Sequence, residues 1–144
     1  MAVNPIPEGY HTVTPYIVVD DVDRLIDFLQ AAFDATEKER IPTQAGPTGH
    51  AEVVIGDSPV MMGRTGEEIP AIPCMLYIYV PDTDAAYARA LAAGATSLQE
   101  PADMFYGDRN ASVKDPTGNL WTIATRQENL TPKELAERAK KHMR

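Results

Sequence analysis

The order of apolar and polar residues predicts a strand, a helix and a hairpin in the first half of the chain. Residues 13–19 are rich in residues typical of strands and run into Asp20-Asp21, a pair suited to cap a helix. Apolar residues then recur at helical spacing and predict one buried helix face: Val22, Leu25, Ile26, Leu29, Ala32 and Phe33. Prolines and glycines between 42 and 49 indicate a loop. Residues 51–55 and 60–64 predict a hairpin around Gly56-Asp57-Ser58-Pro59.

The second half repeats this order. Residues 75–80 predict a strand, and Asp82 caps a helix that ends near Ala93, before Gly94. Glu100-Pro101 is expected to open a loop that ends at Arg109. Two strands, 110–114 and 120–126, are expected to pair across a turn rich in turn-forming residues, Asp115-Pro116-Thr117-Gly118-Asn119.

The two halves are related by a constant offset of 61 residues without a gap. Val19-Asp20-Asp21 lies over Val80-Pro81-Asp82, Tyr16 over Tyr77, and Met61 over Thr122. This register predicts one α+β domain, residues 1–144, built from two βαβββ modules at 11–66 and 73–126. A C-terminal helix at 131–143 is predicted outside the repeat, because Thr131-Pro132-x-Glu134 forms a capping box with proline at the first helical position.

Composition restricts the partners and the compartment. The chain carries a formal net charge of −8, which argues against nucleic acid and anionic membranes as partners. No apolar run approaches the ~18 residues of a membrane span, and the N-terminus lacks a signal-peptide pattern. Cys74 is the single cysteine, so no internal disulfide forms, and it is expected to act as a small hydrophobic residue. A cytoplasmic protein is expected.

Tandem βαβββ modules resemble the vicinal oxygen chelate superfamily of glyoxalases, extradiol dioxygenases and bleomycin-resistance proteins. The likeness covers roughly residues 11–126. Within the superfamily, Tyr106-Gly107-Asp108-Arg109, Asp115-Pro116-x-Gly118-x-x-Trp121 and the Thr-Pro-x-Glu tail helix are similar to the PhnB-like subgroup. The resemblance implies a homodimer, because members usually complete their paired half-barrels with a second subunit.

The resemblance also gives four positions for metal ligands, two on each module. In metal-dependent members these ligands come from the first and last strands, on the concave face of the sheet. The aligned positions here are Thr14, Met61, Met75 and Thr122. Thioethers and neutral hydroxyls are poor donors for Zn, Ni, Mn or Fe(II). The usual metal is therefore expected to be absent, and no cofactor is expected.

His50 and Glu52 are the candidate catalytic residues, because positions i and i+2 share one strand face. They are either a general base with its orienting partner or two ligands of a divalent metal. The alternative is that a strand near a loop simply carries polar residues. Pairing across four-residue turns predicts that this pair faces the concave side, with Arg109, Ala111 and Val113 as counterparts in the second module.

An aromatic and methionine-rich concave face is the candidate ligand-binding surface, although the same residues are also suited to a core. Arg109 either clamps a carboxylate or phosphate, or pairs with Asp103 or Asp108. Trp121 is expected to face the helices. The candidate ligand-binding residues are Thr14, Tyr16, Met61, Met75, Tyr77, Tyr79, Phe105, Tyr106, Arg109 and Thr122.

The sequence thus leaves three hypotheses of different class. The first is a dimeric protein that binds or sequesters an aromatic or apolar small molecule without a metal. The second is a glyoxalase-type lyase, an isomerase or a dioxygenase, with a site rebuilt around His50 and Glu52 that works either with or without a divalent metal. The third is a structural or interaction module, which only the extra helix supports.

Overall fold

The computed structural model describes residues 2–143, so the two terminal residues of the predicted domain lie outside it. Within these residues, eight strands and three helices follow one another in the order that the repeat predicts. They are β1 (Tyr16–Val19), α1 (Val22–Phe33), β2 (Thr36–Pro42), β3 (Thr48–Ile55), β4 (Ser58–Arg64), β5 (Met75–Tyr79), α2 (Thr83–Ala92), β6 (Thr96–Asp103), β7 (Asp108–Lys114), β8 (Leu120–Arg126) and α3 (Pro132–His142).

Each module forms its own four-stranded sheet. The strand orders are β1-β4-β3-β2 and β5-β8-β7-β6, with the first strand of each module parallel to its last and the other pairs antiparallel. Tyr16 pairs with Met61 in the first sheet and Tyr77 pairs with Thr122 in the second, which keeps the 61-residue offset. The predicted α+β fold of two βαβββ modules and a C-terminal helix is confirmed.

Both module helices begin at the predicted aspartates and pack on only one face of their sheets. The Asp21 carboxylate accepts a hydrogen bond from the Arg24 amide, and Asp82 accepts one from the Ala85 amide, each at 3.1 Å. Helix α1 packs on β3 and β4, α2 packs on β6 to β8, and the two helices contact each other. One face of each sheet is therefore buried against helices, and the opposite face is uncovered.

The structure corrects two predicted boundaries. The first strand begins at Tyr16 rather than Val13, and strand β6 occupies residues 96–103, where a loop was expected from Glu100-Pro101. Strand β6 pairs only with β7, and the register shifts between Gln99 and Ala102. Proline is tolerated there because an edge strand with a bulge does not need every backbone N–H for its ladder.

The turns of the two hairpins differ in length, and this difference changes which residues face outward. In the first module Ile55 pairs with Ser58 across a two-residue turn, whereas Lys114 pairs with Leu120 across a five-residue turn. The Asp115 carboxylate holds the longer turn by accepting hydrogen bonds from the backbone amides of Thr117 and Asn119, at 2.7 and 3.2 Å. The third strands are consequently related by 60 residues rather than 61.

Side chains at 109, 111 and 113 therefore face the helices, and the prediction that they lie on the concave face is wrong. Ala111 and Val113 are fully buried. The residues beside Thr122 and Ala124 are Ser112 and Asn110. Even-numbered positions of the third strand face the uncovered side in both modules. In the second module a four-residue turn would place odd-numbered positions there, and the five-residue turn reverses this.

Trp121 faces the helices, as its parity predicts, and it connects the two modules through their common core. It is fully buried, and its ring packs against Phe33 of α1 with 5.4 Å between centroids. Its indole N–H donates to the buried Asp115 carboxylate at 2.7 Å. The turn that sets the register is thereby fixed to the core.

The C-terminal helix is attached by a few polar and aromatic contacts. Thr131 caps it by accepting from the Glu134 amide, and Arg138 forms two hydrogen bonds with Glu128 and one with the Phe105 carbonyl. His142 stacks on Phe105 with 5.3 Å between ring centroids. None of the helices within residues 2–143 is both long and apolar enough to cross a membrane.

Replacing Trp121 by phenylalanine should destabilise the fold by about 1–3 kcal/mol, because it leaves a buried carboxylate oxygen of Asp115 without its donor. Tyr87→Phe is the control, since it removes an exposed hydrogen bond to Ser97 and should cost less than about 0.5 kcal/mol. Urea unfolding measures both free energies. Equal values for the two variants would contradict this role of the indole N–H.

Candidate functional site

Polar side chains gather at two places, one on the uncovered face of each sheet. We call the group on the first sheet the histidine cluster; it consists of Tyr10, Tyr16, Glu39, His50 and Glu52. We call the group on the second sheet the aspartate cluster; it consists of Tyr77, Tyr79, Tyr106, Asp108 and Asn110.

In the histidine cluster, hydrogen bonds join side chains from three parts of the chain. Strand β3 places His50 and Glu52 on one face, with Nε2 of the imidazole 3.1 Å from Oε2 of the carboxylate. The Tyr16 hydroxyl of β1 lies 3.3 Å from Nδ1 of His50. The Tyr10 hydroxyl, from the segment before β1, donates to Oε1 of Glu52. The imidazole therefore has an oxygen partner at each ring nitrogen.

Gly63 allows Tyr16 to reach His50. It lies on β4 directly beside His50, and the Tyr16 side chain passes over it. A Cβ atom at position 63 would clash with the Tyr16 ring and hydroxyl. The missing side chain is therefore what lets the tyrosine of β1 contact the third strand across β4.

The Glu52 carboxyl group is held in its ionised form. The Tyr10 hydrogen bond lowers the pKa of Glu52 most, and the bond from His50 lowers it further, while partial burial acts in the opposite direction. A carboxylate that is ionised and only 12% exposed is suited to orient an imidazole or to bind a cation.

The aspartate cluster is built around a buried carboxylate. Asp108 is 2% exposed, and its Oδ2 accepts hydrogen bonds from the hydroxyls of Tyr77 at 2.5 Å and Tyr79 at 3.0 Å. Its Oδ1 has no hydrogen-bond partner among residues 2–143. Arg126 is 3.5 Å from this oxygen, at the distance of an ion pair but without hydrogen-bond geometry.

An amide extends the aspartate cluster to a third tyrosine. Asn110 donates to the Tyr106 hydroxyl at 2.6 Å and to the Tyr77 hydroxyl at 3.3 Å. Burial raises the pKa of Tyr77 strongly, and the hydrogen bond to Asp108 raises it further. The Tyr77 hydroxyl therefore remains a donor at neutral pH.

The structure distributes the predicted site residues over several places. His50, Glu52, Tyr16 and Met61 lie together on the first sheet. Most of the others lie on the uncovered face of the second sheet or at its rim: Met75, Tyr77, Tyr79, Tyr106 and Thr122. Phe105 instead contacts the C-terminal helix, and the Thr14 hydroxyl bonds the His11 carbonyl before β1.

Arg109 does not lie on the uncovered face of the second sheet, the face that was predicted to be concave. Its guanidinium donates two hydrogen bonds to Asp84 at the start of α2, at 3.0 and 3.1 Å, and one to Asp103 at 3.2 Å. The pairing with Asp103 was one of the predicted alternatives. The guanidinium that does lie on the uncovered face belongs to Arg126, which is half exposed.

Sequence reasoning missed Asp108 and Asn110 because the wrong turn length gave the wrong parity. Counting five residues in the Asp115–Asn119 turn would have identified both. Arg126 lies on β8 with the parity of Thr122, so strand alternation alone could have identified it. Tyr10 and Glu39 were missed for another reason. They reach His50 and Glu52 from an irregular segment and from an exposed edge strand, and no periodic pattern marks either of them.

The four positions that the resemblance gives for metal ligands carry hydroxyls and thioethers, and phenols stand beside two of them. The register places Tyr16 beside Met61 and Tyr77 beside Thr122, so the neighbouring donors are phenols. The Thr122 hydroxyl bonds Ser112 at 3.0 Å, and Met75 is 62% exposed. A set of neutral hydroxyls and thioethers lacks the imidazole and carboxylate donors that these ions select.

Proteins built from two βαβββ modules with uncovered sheet faces form one structural class. Comparison with known proteins identifies the family within it. Residues 10–123 match the Glyoxalase/Bleomycin resistance protein/Dioxygenase superfamily. The uncharacterized protein Mb0911c of Mycobacterium bovis is 37% identical over 134 residues, which cover 85% of this chain and 86% of that protein. The chain belongs to this superfamily.

Solved structures give the same fold. TioX from Micromonospora sp. ML1 superposes with a TM-score of 0.71 at 29% identity, covering 81% of this chain and 98% of that one. A glyoxalase/bleomycin resistance protein/dioxygenase from Nocardioides superposes with a TM-score of 0.62 at 20% identity, covering 85% and 87% of the two chains, and it shows the fold alone.

Proposed function

We propose that this protein binds an aromatic or apolar small molecule on the uncovered sheet faces. The observation that carries the proposal is the exposure of large side chains on β1 and β5, the first strands of the two modules. Tyr16, Met75, Tyr77 and Tyr79 are 53%, 62%, 42% and 63% exposed, although they alternate with residues that pack in the core. Exposed apolar side chains gathered on one face are typical of a binding surface.

The aspartate cluster supports this proposal because it offers a few fixed polar groups beside the aromatic ones. Small-molecule sites are mostly apolar and use a small number of such groups to orient the ligand. The half-exposed Arg126 guanidinium is a donor on this face, and the buried Asp108 fixes the exposed Tyr79 hydroxyl beside it. The ligand class we propose is a flat or apolar molecule with a polar group at one end.

We also assign the chain to the PhnB-like subgroup, on the motifs of the second module and the tail. Gly107 supports the assignment, because its φ of +96° and its contact with the Glu128 backbone leave no room for a side chain. It joins the loop before β7 to the segment leading to the C-terminal helix.

Ligand binding is tested with anilinonaphthalene sulfonate, an aromatic probe with one polar end. We expect saturable fluorescence enhancement with the wild-type protein and a three- to tenfold weaker affinity for Tyr79→Ala, the size of an aromatic contact. Ile69→Ala is the matched control, since Ile69 is 56% exposed between the modules. Equal affinities of both variants and wild type would contradict the proposed surface.

We propose that the chain forms a homodimer through the edges of its two sheets. Strands β1 and β5 are edge strands, and β5 carries the exposed Tyr79. Covering such edges is a common reason for self-association. A second copy has the same two edges, so a twofold arrangement covers both and leaves the sheet faces to the ligand.

Light scattering at micromolar concentration tests the dimer. The expected particle has twice the 15.8 kDa mass of the chain, because an interface of typical size, about 1,600 Å², holds at this concentration. Replacing Tyr79 by aspartate should shift the protein toward single chains. A wild-type protein that is entirely monomeric would contradict the proposal.

A second candidate function is a glyoxalase-type lyase or isomerase, or a dioxygenase, and the hydrogen bonds around His50 favour it. With Nε2–H donating to Glu52, Nδ1 is the acceptor for the Tyr16 hydroxyl. This arrangement is suited to general acid–base chemistry, because the carboxylate orients the imidazole and makes Nδ1 its acceptor.

A thiol-adduct isomerase assay tests this candidate. Turnover should fall at least 100-fold in His50→Ala, the usual size of a general acid–base contribution. The variant Glu37→Gln, on the same edge of the first sheet, should retain wild-type turnover. An activity that survives the loss of His50 would exclude His50 as the base, and a wild-type protein without turnover would leave ligand binding as the function.

A further inference from the structure

We infer that Glu39, His50 and Glu52 form a binding site for a divalent transition-metal ion of the zinc type. One donor atom from each residue can be chosen so that all three lie within 4.8 Å of one another. Two ligand atoms bound tetrahedrally to one zinc ion at ~2.0–2.2 Å stand about 3.3–3.6 Å apart. His50 Nε2 and Glu52 Oε2 are 3.1 Å apart, so a shift of a few tenths of an ångström brings them to this separation.

The donor set fits such an ion. One imidazole and two carboxylates are ligands that zinc and its neighbours in the first transition row accept, in contrast to the thioethers and hydroxyls of the superfamily positions. The site lies on β2 and β3, whereas the superfamily positions lie on or next to the first and last strands of each module. It is therefore separate from them.

Two tyrosine hydroxyls next to the three donor residues hydrogen-bond to them, as the neighbours of metal ligands usually do. Ligating histidines usually hydrogen-bond through their second ring nitrogen, and ligating carboxylates accept further hydrogen bonds. The Tyr16 hydroxyl is 3.3 Å from Nδ1 of His50, and the Tyr10 hydroxyl donates to Glu52. With a metal on Nε2, the proton moves to Nδ1 and the imidazole donates to the Tyr16 oxygen.

The charges of the site favour a cation. Glu39 and Glu52 are direct cross-strand partners, and like charges in this position are destabilising. Among residues 2–143 no lysine or arginine forms an ion pair with either carboxylate. The nearby Lys38 lies instead over the Tyr10 ring, with its Nζ 3.9 Å from the centroid.

The site is accessible to an ion from solvent. Glu39 is exposed, His50 is 29% exposed, and a cleft of about 430 Å³ reaches Glu39 and Glu52. The net charge of −8 attracts cations to the surface. The inference does not rest on the binding of an aromatic ligand, because none of the three residues belongs to the aspartate cluster.

Calorimetric titration of the chelator-treated, full-length protein with Zn²⁺ tests the site. We expect one high-affinity equivalent per chain. Glu39→Gln should weaken its binding at least tenfold and His50→Ala should abolish it, because even an outer-shell partner is worth roughly 10–100-fold. The matched control is Glu37→Gln, a carboxylate on the same strand that pairs with Arg40, and its affinity should stay within about twofold of wild type.

Further variants separate this site from other zinc-binding groups of the chain. Met61→Ala should retain binding, since Met61 is a superfamily position, and Tyr10→Phe should weaken it tenfold or more as an outer-shell change. Glu39 is exposed, so its variant keeps the test valid even where His50→Ala fails to fold. No saturable uptake by wild type, or equal affinities of Glu39→Gln and Glu37→Gln, would overturn the inference.

Discussion

The contact between the two helices decides where chemistry can occur in this protein. Because α1 and α2 pack against each other, each of them covers its own sheet from the inside. The Arg89 guanidinium donates to the Ala32 carbonyl at 3.2 Å across the contact, and Phe33 packs on Trp121 of the second module. The inner faces of both sheets are consequently apolar and closed. Strand alternation then sends every second side chain to an uncovered face, and both polar clusters lie there.

Which side chains reach the second uncovered face depends on a single turn. Asp115 binds backbone amides of the turn with one carboxylate oxygen and the Trp121 indole with the other, so turn and core are fixed by the same residue. The five-residue turn shifts the pairing of β7 by one residue. Asp108 and Asn110 therefore face outward, and Arg109 is left to form ion pairs with Asp84 and Asp103 near the helix. A turn of four residues would have exchanged these roles.

The parts of the structure that the sequence predicts are those in which neighbouring residues carry the information. The caps at Asp21 and Asp82 and the apolar face of α1 depend on short-range patterns, and the 61-residue register is found because such patterns occur twice; all are present. The edge strand β2 is exposed along its whole length and so has no apolar alternation to mark it. His50 and Glu52 could be paired from their spacing on one strand. Their partners Tyr10 and Glu39 could not, because only the folded sheet brings them near.

The repeat provides an internal comparison for the two clusters. With third strands related by 60 residues and first strands by 61, Tyr16 and His50 correspond to Tyr77 and Asn110. Both pairs place a phenol oxygen 3.3 Å from a side-chain nitrogen; the Asn110 amide donates to Tyr77, whereas Nδ1 of His50 accepts from Tyr16 when Nε2–H donates to Glu52. The equivalent of Glu52 is Ser112, which bonds Thr122. One scaffold thus carries an imidazole and a carboxylate in the first module, and an amide and a hydroxyl in the second. Imidazole and carboxylate are the donors that transition metals select, whereas an amide and a hydroxyl are neutral hydrogen-bonding groups, so the two faces are suited to different tasks although their backbones are equivalent.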